Sequence, residues 1–276
     1  MTQTIKKNNI SEITNYILSI QVSLNGLSFC VLNQENEVLV LDYDNFGIQL
    51  SPQQVLDKIK YTLDHHPKLK YEFSTIEIIY QNDLYTFVPK ALFDPQLLNE
   101  YLSYNIKILD SDFIAYDELE QHDIVTVYIP YTNINNFFFE TFGSFTFKHS
   151  STILVDNILT KEKNNESILV YSHMNFKYFD LVVVNKGKLI LSNSYIYENK
   201  DDFLYYLMFT AEQLRLNPEE FQLIFLGNIS KNSDYYTIAD KYIRNINFGH
   251  RNHTYKLPET MHTIEPHQHF VLLSHF

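Results

Sequence analysis

The sequence predicts a mixed α/β fold in which one order of elements occurs twice. Three observations carry the prediction. Each half holds three consecutive short strands, and each continues with a helix, a strand and another helix. The two series lie roughly 150 residues apart, close to one domain length. The polar stretch Lys161–Glu166 lacks apolar periodicity and separates them, giving two expected domains, residues 1–163 and 164–276.

In the first half, Leu18–Leu24 alternates apolar and polar residues, Asn25-Gly26 supplies a turn, and Leu27–Leu32 continues as a second strand. Asn33–Asn36 turns the chain into Glu37–Tyr43. Ser51-Pro52-Gln53-Gln54 then places Ser at a helix N-cap, Pro at the first helical position and Gln in the capping-box place. Val55, Leu56, Ile59 and Leu63 mark one helical face, Pro67 closes it, and Thr75–Tyr80 reads as a strand. Further elements are expected from Asp94-Pro95 (helix), over Asp123–Ile129 (strand), from Thr132 to a stop at Gly143 (helix) and over Phe145–His149 (strand).

The second half repeats the order. Ile168–Ser172, Tyr178–Val184 and Lys188–Asn193 are strands, and Asn185-Lys186-Gly187 turns the last pair. Asp201 and Asp202 open a helix, where carboxylates suit the positive end of its dipole. Phe221–Leu226 is a strand. Tyr235, Ile238, Ala239, Tyr242, Ile243 and Ile246 read as one face of a final helix, and Phe270–Leu273 reads as a returning strand.

Composition narrows the function. Of 276 residues 45% are apolar, enough for a sizeable core. Twenty-one Lys and Arg against 33 Asp and Glu give −12, which disfavours a phosphate backbone, so no nucleic-acid partner is expected. The single cysteine, Cys30, lies in an apolar strand and reads as an inert core thiol. It also fits a reducing compartment. No apolar run is long enough to cross a bilayer, and Ile17–Leu24 alternates instead of forming a secretory segment. A cytoplasmic protein without membrane insertion is expected.

Three meandering strands followed by a helix and a parallel strand resemble a ribonuclease-H-like unit. Two in tandem resemble the actin-like ATPase superfamily, above all the bacterial actin-like proteins of cell division and type IV pilus assembly. Tyr178–Leu204, with Ile196-Tyr197-Glu198-Asn199 leading into a helix, is similar to their second domain. The chain also resembles a bacterial domain-of-unknown-function family of this fold. The resemblance implies a nucleotide cleft with an Asp, and a Gly two residues on, at each first strand end. Here Gln21 and Ser23 take those places in the first half, Tyr171 and His173 in the second. The adenosine loop keeps one glycine, Gly227, before Asn228. Without both aspartates the charges that hold a divalent metal are gone, so the fold is expected to persist without ATP hydrolysis.

Other chemistry is missing too. The six glycines are too far apart for a phosphate loop or dinucleotide fingerprint, and no nucleophile-elbow or zinc-protease motif occurs. Six histidines fall between 250 and 275: His250, His253, His262, His267, His269 and His275. His250-x-x-His253 or His267-x-His269 could contribute to a metal site, but no cysteine lies nearby and the one close carboxylate, Glu265, follows no recognised ligand spacing, so no metal, cofactor or catalytic residue is assigned. The 21 Tyr and 21 Phe include Phe137-Phe138-Phe139 and Phe142, which cannot all face one core. Either their helix is sandwiched between layers or it offers a partner-binding face. The expectation is a non-catalytic binding or scaffolding protein on a degenerate actin-like fold, with a protein partner. The alternative is a divergent nucleotide or small-molecule binder, its ligand unknown. Ser23, Asn25, Ser172, His173 and Asn228 would then line the interdomain cleft, because they fall at cleft-facing strand ends in this fold.

Overall fold

A computed structural model describes residues 16–251, 255–261 and 263–275. The chain opens with an antiparallel meander of β1 (Tyr16–Val22), β2 (Gly26–Leu32) and β3 (Val38–Asn45). The helix α1 (Pro52–His65) follows, and its capping box forms as the sequence predicts: Ser51 Oγ accepts from Gln54 N–H while Gln54 Oε1 accepts from Ser51 N–H. β4 (Phe73–Tyr80) then lies parallel to β1.

An inserted lobe comes next, made of β5 (Tyr85–Pro89), α2 (Leu98–Ser103), β6 (Ala115–Leu119) and β7 (Ile124–Tyr128), its strands ordered β5-β7-β6. Helical residues thus begin at Leu98, and Asp94-Pro95 belongs to the turn before them. The chain returns through α3 (Thr132–Phe142), β8 (Thr146–His149) and α4 (Ser150–Lys161). The second series is β9 (Ile168–Met174), β10 (Tyr178–Asn185), β11 (Lys188–Ile196), α5 (Lys200–Gln213), β12 (Gln222–Gly227), α6 (Asp234–Ala239) and β13 (Asn245–Phe248).

The two main sheets have the same plan, β3-β2-β1-β4-β8 and β11-β10-β9-β12-β13. In each, three antiparallel strands are extended by two parallel ones. Helices α1 and α3 cover the outer face of the first sheet through Val55, Leu56, Ile59, Ile134 and Phe138. Helices α5 and α6 cover the second through Phe203, Leu207, Ala211 and Ala239. A third core lies between the sheets, where β2, β4, β9, β10 and β12 pack with α4 and the C-terminal residues Phe270–Leu273. Each such fully buried Leu, Ile or Phe contributes about 1.5–3 kcal/mol, so this central core binds the two halves into one body.

Two further expectations are corrected. The last helix ends at Ala239, and Ile246 sits on β13 opposite Leu223 of β12. Its spacing from Ile243 suits a helical face, but backbone pairing with the open sheet edge wins. Phe270–Leu273 is not a strand: Leu273 N–H bonds back to His269 C=O at 3.0 Å, a helical-type turn. All four residues are buried in one core, whereas a strand would send alternate residues to opposite faces. On α3, Phe138 is fully buried, Phe137 and Phe142 pack at its edge, and Phe139 is 66% exposed. Among the described residues no helix is long and apolar enough to cross a membrane.

Candidate functional site

The cleft is built around two matching hairpin turns. Ser23 N–H donates to Gly26 C=O at 3.0 Å, and Asn175 N–H donates to Tyr178 C=O at 3.0 Å. This match, with Val22 opposite Leu27 and Met174 opposite Phe179, fixes the equivalence of the two halves. Gln21 corresponds to His173, Ser23 to Asn175, and Ser28 to Asp180. The expected second-half pair, Tyr171 and His173, is therefore shifted by two residues. Gly26 serves by its lack of bulk: a Cβ there would lie 2.9 Å from the Asp44 carbonyl and from the Tyr43 ring. Gly227 has φ +80°, and a Cβ would come 2.4 Å from the Met174 carbonyl. It lets β12 turn directly over the second hairpin.

Neutral side chains bridge the turns. Gln21 Nε2 donates to Gln81 Oε1 at 2.5 Å, Gln81 Nε2 donates to Asn175 Oδ1 at 2.7 Å, and Asn25 Nδ2 donates to the Phe176 carbonyl at 3.3 Å. Behind the second turn lies a buried carboxylate, Asp180. His173 Nδ1 lies 3.1 Å from its Oδ2, Asn175 Nδ2 donates to the same oxygen at 3.0 Å, and Ser194 Oγ donates to Oδ1 at 2.5 Å. Tyr85 of the inserted lobe reaches across to Ser194 at 3.0 Å. Burial and the Asp180 charge push its phenol up to about 12, so it stays protonated at neutral pH.

Around these turns is a cavity of about 840 Å³, part of it open to solvent. Ser23, Asn25, His173 and Asn228 line it, with Gln21, Gln81 and Asn175. Ser172 does not; it is fully buried, with its hydroxyl directed at Met174 Sδ, 3.3 Å away. The C-terminal stretch closes the floor with Gln268, His269, Phe270 and Val271. That stretch is held by the Gly227 N–H to His267 carbonyl bond (2.8 Å), by His267 Nε2 to the Ile229 carbonyl (2.7 Å), and by Arg251 Nη1 on the carbonyls of Glu265 and Gln268. Burial lowers the His269 imidazole to about 4, keeping it neutral. Among the described residues lining this cavity there is no Asp, Glu, Lys or Arg. The lining offers no carboxylate to a divalent ion and no cation to a phosphate chain; Asp83 and Lys177 line the adjoining hollow, which shares Ser23, Asn25, Gln81 and Tyr178 with it.

Gln81, Asn175, Asp180 and Gln268 carry no sequence signal, since none sits in a motif and they meet only through the fold, while His269 stands out in the sequence only as one of the clustered C-terminal histidines. Among the described residues no group of three or more His, Cys, Asp or Glu is placed to hold a metal ion. Of the C-terminal histidines, His253 and His262 lie outside the described residues. His275 Nε2 sits between Glu77 (2.7 Å) and Ser19 Oγ (2.8 Å). Cys30 is buried, and burial raises its thiol to about 12.

The chain belongs to the family described as protein of unknown function (DUF3822), whose sequence profile matches residues 5–246. Among curated proteins none matches it. Its fold is that of a Bacteroides thetaiotaomicron VPI-5482 protein with an actin-like ATPase fold and unknown function. That structure is 22% identical at a TM-score of 0.77, covering 86% of this chain and 91% of that one. The PilM–PilN type IV pilus biogenesis complex is also similar, at 11% identity and a TM-score of 0.61, over 93% of this chain and 96% of that one. The architecture is therefore actin-like, two ribonuclease-H-like units in tandem.

Proposed function

We propose that this member of the DUF3822 family is a non-catalytic binding or scaffolding protein that works through protein contacts. Its two units are residues 1–163 and 164–276, and its setting is the cytoplasm. One observation supports this most: the hairpins that face a nucleotide in the fold are joined here by neutral bonds through Gln21, Gln81 and Asn175. A magnesium nucleotide brings several negative charges, and burying them beside amides without a counter-charge is strongly unfavourable. The similarity to a structure named for a PilM–PilN complex is in keeping with a protein partner, and the charge of −12 argues against nucleic acid. The test is thermal unfolding of the purified chain with millimolar ATP and magnesium, alongside phosphate release. No change in Tm and no release above buffer is the expected result. A rise of several degrees would overturn the proposal, because ligand at about 100 times its Kd stabilises by about 2.7 kcal/mol.

One observation favours a second reading, a binder of an uncharged small molecule. Asn25 Oδ1 is buried without a hydrogen-bond partner, and the Tyr178 hydroxyl, buried beside the Gln81 side chain, belongs to the same cavity. A neutral ligand with adjacent donors and acceptors would satisfy the first and bond to the second. Calorimetric titration with adenosine and with glucose, on the native chain and on Ser23→Trp, separates the readings. Only a binder shows heat that the cavity-filling tryptophan removes.

A further inference from the structure

We infer that the outer surface of the inserted lobe, around α2 and β6, docks a basic amphipathic segment of a partner protein. The inference rests on the scaffold reading and names the chemistry of its partner. Residues 83–123 hold nine Asp and Glu against two Lys, so −7 of the chain's −12 is concentrated there. The same region is unusually apolar at its surface. Of the sixteen large apolar side chains exposed among the described residues, six lie between 92 and 116, including Leu92 at 71%, Tyr104 at 90% and Leu109 at 54%.

The two properties share one place. A surface hollow beside α2 is lined by Leu109 and Ile108 together with Glu100, Asp110 and Asp112. On the neighbouring side the Phe93 ring packs on Tyr101 (5.9 Å between centroids) and Tyr116 (4.9 Å), which joins the helix to β6. Glu118 is engaged by Lys90 at 2.8 Å and Asp112 caps the Leu109 N–H at 2.8 Å, whereas Glu100 and Asp110 are exposed.

Charge selects the occupant. A second copy would set −7 against −7, and an anionic bilayer or a nucleic acid would be repelled likewise. Apolar side chains flanked by Lys or Arg satisfy both halves of the surface, the apolar part supplying affinity and the cations supplying orientation.

The test uses the full chain and two fluorescent helical peptides, one of Leu and Lys and one of Leu and Glu with the same apolar face, read by anisotropy. The Leu/Lys peptide is expected to bind, more weakly at high salt, and the Leu/Glu peptide is not. The pair Glu100→Gln with Asp110→Asn, and the pair Leu92→Ser with Leu109→Ser, are each expected to weaken binding about tenfold. All four positions are exposed, so folding is retained. Glu212→Gln with Asp240→Asn removes equal charge from the second unit and is expected to change nothing. Equal losses in the control pair would show bulk attraction and overturn the inference. So would unchanged affinity in both lobe pairs, equal binding of the Leu/Glu peptide, or self-association lost on Leu92→Ser with Leu109→Ser. Stabilisation by ATP would sink the scaffold reading without altering these titrations, so the two failures are distinct.

Discussion

The two main sheets share strand order and turn geometry, yet opposite chemistry fills equivalent positions. In the first, the pair that enters the hairpin is Gln21 opposite Ser28, neutral and facing the cleft; in the second it is His173 opposite Asp180, buried and bonded to Asn175 and Ser194. The first half also carries the acidic lobe, and the second has no such insertion. The backbone plan therefore tolerates complete replacement of the strand-end side chains. Fold and site are separable here, and the comparison can be attacked at each matched pair.

The largest effect is expected at Asp180. Asp180→Ala leaves the buried His173 without its carboxylate partner, takes an acceptor from the half-buried Asn175 and Ser194, and should cost about 3 kcal/mol. Ser28→Ala, at the matching position of the first half, should cost about 0.5 kcal/mol. Urea denaturation of both variants checks this. Equal losses would mean that the different chemistry at the two matched positions has no energetic consequence.

Next in size is a pH effect seated in the first half and the C-terminal stretch. Burial holds His149 at about 3 and His269 at about 4, against an ordinary 6.5. Above pH 6.5 both are neutral folded or unfolded and contribute nothing to the pH dependence. As pH falls from 6.5 towards 4 the unfolded chain takes up protons that the folded chain refuses, so stability drops. At pH 5 the loss is about 2 kcal/mol for each histidine. Tm measured from pH 7.5 to 5 should fall accordingly, and His269→Gln should make the fall shallower, the remainder coming from His149 and from His267, which burial also lowers. A Tm that stays flat over that range would contradict the burial of both rings.

Much of this architecture was legible because its signals are local. Asn25-Gly26, the Ser51–Gln54 capping box and Asp201-Asp202 after Asn199 each act within a few residues. Helix α4 gave no signal because it lies between two sheets: eight of its twelve residues are buried, so no polar face marks a period. The lobe strands β5 and β6 are short and mixed. Ser23, Asn25, His173 and Asn228 were placed at the cleft by strand-end position alone, and the same logic failed for Ser172, one residue off on the other face of β9. Asp180 and Gln81 are brought together with Asn175 only by sheet pairing and by the packing of the two halves, which no local pattern encodes.

The smallest effect is expected at Gln81, the residue that links the halves. It accepts from Gln21 of its own sheet and donates to Asn175 of the other. Gln81→Ala leaves the Gln21 amide and the Asn175 carbonyl without these partners, but both line a cavity open to solvent, so water can replace the lost bonds. The cost should be about 1 kcal/mol, well below that of Asp180→Ala. A double-mutant cycle of Gln81→Ala with Asn175→Ala isolates the link between the halves, with an expected coupling of about 0.5–1 kcal/mol. Zero coupling would mean that the central apolar core alone holds the hairpins together. A coupling as large as the Asp180 effect would make the neutral bridge, and not the core, the element that fixes the cleft.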